Sequence, residues 1–119
     1  RISDEALFSL MAAAVAFACP SRTEGFGLPP AEAMALGCPV IVAPNGALPE
    51  VCGDAAIYAE PENPAEWAQA LVMLTSRPDL RRDMALRGRN RTATMTWDAA
   101  AANLLDFLSR LDRGVQCAA

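Results

Sequence analysis

Apolar residues along this chain fall into short runs that alternate with longer segments of helical periodicity. Three of the runs have the length of buried strands, and each is bounded by proline, glycine or polar residues. The predicted strands cover residues 15–19, 39–43 and 56–59. Because helical segments separate them, the pattern predicts an α/β fold with a parallel sheet.

Helix boundaries in the first half are marked by a capping residue and by prolines. Ser3 can cap a first helix that has two acidic residues in its first turn. A second helix is predicted to begin at Pro29 or Pro30, because proline suits the first helical turn, and to end at Gly37. A short third helix is predicted near residues 48–52. The apolar face of the first helix consists of Leu7, Leu10 and Met11.

The second half of the chain is predicted to be mainly helical. Asn63-Pro-Ala-Glu66 is similar to a capping box and begins one helix. Another spans about residues 78–91, with its arginines on a solvated face, and Thr96 caps a final helix over about residues 96–112. We expect Trp97 in the core. The apolar stripes are Trp67, Ala70, Leu71 and Leu74 in the first of these helices, and Trp97, Ala101, Leu104, Leu108 and Leu111 in the last.

Composition and charge narrow the class of protein. With 119 residues, 53% of them hydrophobic, the chain fits a single domain with a moderate core. The formal net charge of −4 argues against nucleic-acid binding, because such partners require a basic face. No apolar stretch reaches the roughly 20 residues of a membrane span.

The cysteines and the absence of histidine bear on metal binding. Cys19, Cys38, Cys52 and Cys117 lie in or beside apolar runs and show no paired metal-binding spacing. We therefore expect buried structural thiols in a reducing cytoplasm, with no metal or other cofactor. All ten basic residues are arginine, which together with the abundant alanine is typical of a GC-rich bacterial genome.

Residues 21–42 are the strongest candidate for chemistry. They combine a glycine-containing loop, a helix start and a strand, with Glu24 before the loop and Glu32 in the first helical turn. The first N–H groups of a helix are unpaired and attract anions, and Gly25 and Gly27 let a ligand approach the backbone. Carboxylates accept hydrogen bonds from vicinal sugar hydroxyls. The segment therefore predicts a nucleotide-sugar crevice that both carboxylates face.

Simpler interpretations exist for each of these residues. A glutamate such as Glu32 stabilises a helix start by about 0.3–1 kcal/mol without any ligand. Glu24 alone is an ordinary loop acid, and the glycines alone are turn residues. Gly25-Phe26-Gly27 begins like a dinucleotide-binding fingerprint, but Pro30 takes the place of the third glycine.

The segment as a whole resembles the family-four retaining glycosyltransferases of the GT-B fold. The resemblance rests on two glutamates separated by seven residues within Ser-x-x-Glu-Gly-Phe-Gly-Leu-Pro-x-x-Glu-Ala-Met-Ala-x-Gly-x-Pro-Val. Residues 2–7, 48–57 and 97–101 are also similar to the C-terminal half of that family's nucleotide-sugar-binding domain. The resemblance implies that residues 1–119 form a partial Rossmann-like domain of three short parallel strands with flanking helices.

The resemblance also implies roles in a transfer reaction. Glu32 would bind the ribose hydroxyls of the donor, and Glu24 would contact the transferred sugar at the catalytic centre. Asn45 and Gly46 correspond more weakly to part of the donor cleft. The implied reaction moves a hexose from a nucleoside diphosphate sugar to an acceptor hydroxyl with retention at the anomeric carbon. The backbone expected against the donor is that of Gly25, Phe26, Gly27 and Leu28.

Other parts of such an enzyme would lie outside these residues. The family's phosphate-binding arginine and lysine and its N-terminal acceptor domain have no counterpart here, so we expect the chain alone to be inactive. The family's strand order leaves the first strand at an open sheet edge, which favours self-association. The final helix packs on the partner domain in this family, so part of its apolar face is expected to lack cover.

The cysteines, the composition and the resemblance together predict where the protein is located and what class of protein it is. We expect a bacterial cytoplasmic enzyme, with membrane association left open for the complete protein. The alternative is a non-catalytic nucleotide-binding or interaction module that reuses this half-domain.

Overall fold

The computed structural model describes residues 2–116 and contains one parallel sheet. Its strands lie in the order β1-β2-β3, with Phe17 opposite Val40 and Val40 opposite Ala56. The α/β fold with three short parallel strands is therefore confirmed. The strands are β1 (Phe17–Cys19), β2 (Val40–Val42) and β3 (Ala56–Tyr58).

Six helices accompany the sheet within these residues. Ser3 caps the first, because its Oγ accepts a hydrogen bond from the Ala6 N–H at 3.3 Å. Thr96 caps the last in the same way, with the Ala99 N–H at 3.1 Å. The helices are α1 (Asp4–Ala13), α2 (Leu28–Ala35), α3 (Leu48–Cys52), α4 (Pro64–Ser76), α5 (Pro78–Thr92) and α6 (Trp97–Gln116), with a 3-10 turn at Gly53–Ala55.

The central strand β2 separates two apolar layers. Val40 and Val42 belong to one layer and Ile41 to the other, and all three are fully buried. Side chains alternate across a strand, so neighbours along β2 face opposite layers. A strand that is covered on both faces is typical of a parallel sheet. The first layer includes Met34, Leu48, Val51 and Cys52, and the second includes Ala70, Leu74 and Met84.

The buried thiols bear out the interpretation of the cysteines as structural. Cys19, Cys38 and Cys52 are buried and unbridged, whereas Cys117 lies outside the described residues. Burial raises the pKa of the Cys38 thiol, and burial together with the nearby Cys19 raises that of Cys52 to about 11. Both thiols are therefore protonated and weakly nucleophilic at neutral pH.

The first strand is shorter than the apolar run that predicts it. Val15 is 41% exposed, and strand pairing begins only at Phe17. Two residues of the run therefore serve as a connection from α1, because an apolar side chain does not by itself specify strand pairing.

Trp97 is not in the core, contrary to expectation. Its side chain is 91% exposed, and no residue between 97 and 111 is buried. An apolar stripe becomes a buried face only where another element lies against it, and α6 makes few contacts with the rest of the described chain. The expected uncovered stripe is present, since Leu104, Leu108 and Leu111 are all about half exposed.

The start of α4 departs from the predicted capping box. The Asn63 side chain accepts no hydrogen bond from the helix; its Nδ2 instead donates to Glu66 Oε1 at 2.8 Å. Glu66 Oε2 accepts from the backbone N–H of Glu60 at 2.7 Å, and Trp67 Nε1 donates to the Glu60 carbonyl at 2.9 Å. These hydrogen bonds hold the surface loop that contains Glu60 and Glu62 against the first turn of α4.

The apolar stripe of α4 is only partly buried, since Leu71, which was predicted to belong to it, is 41% exposed.

The arginines of α5 do more than form a solvated face. Three of them reach carbonyl groups at the C-terminal ends of three different helices, where hydrogen-bond acceptors are unpaired. Arg81 donates to Leu74 and Thr75 in α4, and Arg89 donates to Leu36 just beyond α2. Arg91 donates to the carbonyls of Glu50 and Val51 in α3. Side chains of α5 thereby cap the C-terminal ends of α2, α3 and α4. Each guanidinium is also attracted by the partial negative charge at the C-terminus of the helix that it caps.

Candidate functional site

Three loops meet at the carboxyl edge of the sheet. They follow β1, β2 and β3, and in an open parallel sheet this edge is where ligand crevices form. The guanidinium of Arg22 in the first loop pairs with the carboxylate of Glu62 in the third. The Ala47 N–H in the second loop donates to the Glu24 carbonyl at 3.2 Å. The structure therefore brings the predicted Glu24, Asn45 and Gly46 into one loop cluster.

Glu24 is held at both its backbone and its side chain. The carboxylate Oε1 lies 3.9 Å from Cys19 Sγ, a distance at which the thiol acts as a weak donor. The backbone carbonyl accepts from the second loop, and the side chain is partly buried. Glu24 thus makes more contacts with the protein than an ordinary solvated loop acid.

Gly27 is the glycine on which the geometry of the helix start depends. It is the N-cap of α2 and adopts φ +90°, in the left-handed region. Its carbonyl accepts the first helical bond, from the Ala31 N–H at 3.1 Å, and the prolines follow in the first turn as predicted. Gly25, in contrast, has no positive φ and open space around it, so its backbone conformation does not require glycine.

An open pocket of about 880 Å³ lies along one face of α2, from Leu28 to Ala35. Glu32 lies on its wall together with Phe26 and Leu28, and all three side chains are exposed. Glu24 is not among the lining residues, so this pocket alone does not unite the two carboxylates. The expectation that both acids face one crevice receives no support from this pocket.

The opposite wall of the pocket contains residues that sequence reasoning missed. Glu50 and Arg91 contribute from α3 and α5, and Thr94, Met95 and Trp97 come from the connection into α6 and its first residue. These residues are far from the motif in sequence and carry no pattern of their own. Only packing of α5 against α2 and α3 brings them to Glu32.

Residues 2–116 contain neither a cluster of metal-ligating side chains nor a helix suited to cross a membrane. No group of three carboxylate or thiol side chains in this part of the chain is arranged to hold a metal ion. None of the helices within the same residues is long and apolar enough to cross a membrane.

Residues 1–91 match the family described as glycosyl transferases group 1. The chain belongs to this family. It is 40% identical over 98 residues to O-antigen chain mannosyltransferase B of Escherichia coli, covering 82% of this chain and 26% of that protein. It is 38% identical over 105 residues to the MMP alpha-(1->4)-mannosyltransferase of Mycolicibacterium hassiacum, covering 85% of this chain and 26% of that protein.

Two further similarities support this group 1 glycosyltransferase assignment. The D-inositol 3-phosphate glycosyltransferase of Corynebacterium diphtheriae is 38% identical over 102 residues, covering 84% of this chain and 24% of that protein. The solved structure of sucrose-phosphate synthase from Thermosynechococcus elongatus superposes with a TM-score of 0.80 at 29% identity, over 96% of this chain and 29% of that one. The resemblance to the GT-B fold is therefore confirmed. The chain spans about a quarter of the length of the curated relatives that it matches.

Proposed function

We propose that this group 1 glycosyltransferase chain forms the donor-binding part of an enzyme that transfers a hexose from a nucleoside diphosphate sugar to an acceptor hydroxyl. Transfer is proposed to retain the configuration at the anomeric carbon. The observation that carries the proposal is Glu32, which is exposed on a pocket wall. Because α2 begins at Leu28, Glu32 lies in the second turn of the helix and not in the first, where the sequence pattern predicted it. Two of the relatives named above are mannosyltransferases, which favours mannose among the hexoses.

In this proposal the two carboxylates bind different parts of the donor. Glu32 accepts hydrogen bonds from the ribose hydroxyls, and Glu24 accepts them from the transferred hexose. The diphosphate lies at the N-terminal end of α2, where Gly25, Phe26, Gly27 and Leu28 provide backbone N–H groups and the helix dipole favours negative charge. These groups stabilise the charge that develops on the departing diphosphate. Neither glutamate is proposed as a general acid, and no metal takes part.

We also propose that the 119-residue chain is a single partial domain that binds donor without transferring sugar. Its length, about a quarter of that of its relatives, supports this proposal. The two arginines nearest the proposed site are already engaged: Arg22 pairs with Glu62, and Arg91 on the pocket wall donates to the carbonyls of Glu50 and Val51. Loss of one preorganised group that stabilises the charge developing in the transition state lowers the rate about a hundredfold or more.

We also propose that the complete enzyme is located in the cytoplasm.

The open edge of β1 is proposed to mediate self-association of the chain. β1 is a terminal strand of the sheet, and Ala18 at its centre is exposed. Unpaired N–H and C=O groups on such a strand can pair with a second copy. We expect light scattering to report a mass above that of the monomer at high concentration, and a monomer throughout the concentration range would contradict the proposal.

Replacing Glu32 by glutamine tests the donor site directly. The variant keeps the shape of the side chain but removes the charge that accepts ribose hydroxyl bonds. We expect the affinity for uridine or guanosine diphosphate, whichever the chain binds, to fall about tenfold, which is the loss of one charge-assisted hydrogen bond. Isothermal titration calorimetry of the chain before and after the substitution measures this change.

Glu50→Gln is the matched control for this experiment. Glu50 lines the same pocket but lies outside the motif, so its substitution changes the pocket charge equally without removing the proposed ribose contact. Affinity should remain close to that of the parent chain. Equal losses in both variants would indicate a general charge effect, and binding of neither nucleotide at millimolar concentration would favour an interaction module without a donor site.

A further inference from the structure

Gly46 lies directly against the backbone of Glu24. It adopts φ +59°, and a methyl group added to it would lie 2.6 Å from the Glu24 carbonyl oxygen and 2.9 Å from the Glu24 nitrogen. Real side-chain carbon atoms do not approach the backbone so closely. Only glycine therefore lets the loop after β2 pack on Glu24 in this way.

A hydrogen bond adjoins this contact. The N–H of Ala47, the residue after Gly46, donates to the Glu24 carbonyl at 3.2 Å. The Leu48 N–H donates to the Asn45 carbonyl at 3.2 Å, so the loop closes into a turn with Gly46 inside it. Leu48 is fully buried and anchors the turn to the core. The backbone of Glu24 is thus linked to the core through Leu48 and its loop, which lies 21 or more residues away in sequence.

We propose that Gly46 is a positioning residue that acts through Glu24. By allowing the loop after β2 to pack on the Glu24 backbone, it sets the direction in which the carboxylate leaves the β1–α2 loop. Gly46 then need not touch the donor itself. The importance of Glu24 for the hexose rests on the proposed function, whereas the packing of Gly46 on Glu24 does not.

Gly46→Ala tests the proposal in the full 119-residue chain. The added methyl group must push the two loops apart, so the NMR signals of the Glu24 amide and carboxylate are expected to shift. Binding of a nucleoside diphosphate hexose should weaken about tenfold, because a misdirected carboxylate loses a charge-assisted hydrogen bond to the hexose. The nucleoside diphosphate alone should bind unchanged, since the proposed ribose contact belongs to Glu32.

Gly53→Ala is the matched control. Gly53 also adopts a positive φ, +54°, but an added methyl group would meet nothing closer than 3.4 Å, and that neighbour is the Arg91 side chain. Both variants therefore place a side chain at a positive φ, while only Gly46→Ala brings a methyl group against Glu24. If Gly46→Ala does not fold, Gly46→Asn replaces it, because asparagine tolerates positive φ while retaining the clashing carbon.

The outcomes separate this proposal from the function on which it builds. Glu24 signals that shift in Gly46→Ala but not in Gly53→Ala support the positioning role even if no nucleotide binds. Glu24 signals that stay in place, or that shift equally in both variants, overturn it even if the parent chain binds the donor. If Gly46→Ala also weakened binding of a nucleoside diphosphate that carries no hexose, the proposal would be overturned, because the effect would then not be confined to the hexose contact.

Discussion

Replacing Gly27 by alanine is expected to lower the free energy of unfolding by about 3 kcal/mol. A residue with a side chain loses about 1–2 kcal/mol in the left-handed conformation that Gly27 adopts at φ +90°. The new methyl group would also lie 2.7 Å from Leu48 Cδ2, and Leu48 is fully buried with little room to move. Overpacking of this kind costs about 1–3 kcal/mol. Urea or thermal unfolding followed by circular dichroism measures the loss.

Gly25→Ala provides the internal comparison, because the two glycines lie in the same loop. An added methyl group at Gly25 meets nothing within 4 Å, and the backbone there has no positive φ. The change in stability should stay within about 0.5 kcal/mol, as for most surface substitutions. Equal losses in the two variants would show that the loop needs glycine for flexibility rather than for the geometry of the α2 start.

Replacing Gly88 by leucine is expected to destabilise the chain by a similar amount, about 3 kcal/mol, through the crossing of α2 and α5. Even a methyl group at Gly88 would lie 3.1 Å from Met34 Cβ and 3.3 Å from its Cα, and Met34 is fully buried. A leucine side chain must force the helices apart, which is overpacking at its upper range. Because α2 carries Glu32, nucleotide affinity should fall as well. Unfolding midpoints and titration calorimetry measure the two effects.

Two variants on α5 control for effects other than packing. Asn90→Leu places the same side chain at an exposed position two residues along, where it should leave stability nearly unchanged. Gly88→Ala should fall between the parent chain and Gly88→Leu, because better helix propensity offsets part of a smaller clash. A stability of Gly88→Leu equal to that of Asn90→Leu would contradict the proposed close crossing.

Features specified by a few adjacent residues were predicted well. Ser3 and Thr96 cap their helices, and the short helix lies at residues 48–52 as expected. The strands were located correctly except at their ends, since short apolar runs mark burial more clearly than pairing. Asn63 shows the limit of local rules: its side chain binds Glu66 rather than the helix N–H groups, because Glu66 is engaged by the preceding loop.

Contacts between distant segments could not be predicted. Arg91 binds the Glu50 carbonyl across 41 residues, and neither position carries a signal for the other. Trp97 was wrongly expected in the core, because periodicity shows that a helix has an apolar side but not whether a partner covers it. The roles of Glu24 and Glu32 remain predictions.

The sequence by itself determined the order of elements, the parallel sheet and the family motif, because these depend on local periodicity, on capping and on residues close together in the chain. Only the tertiary structure decided at which positions a side chain would clash. A methyl group at Gly25 has open space around it, whereas one at Gly27 would clash with Leu48 and one at Gly46 with Glu24. It also decided that Glu32 shares a pocket with α3 and α6. The physical reason is that steric exclusion acts between atoms that only folding brings together.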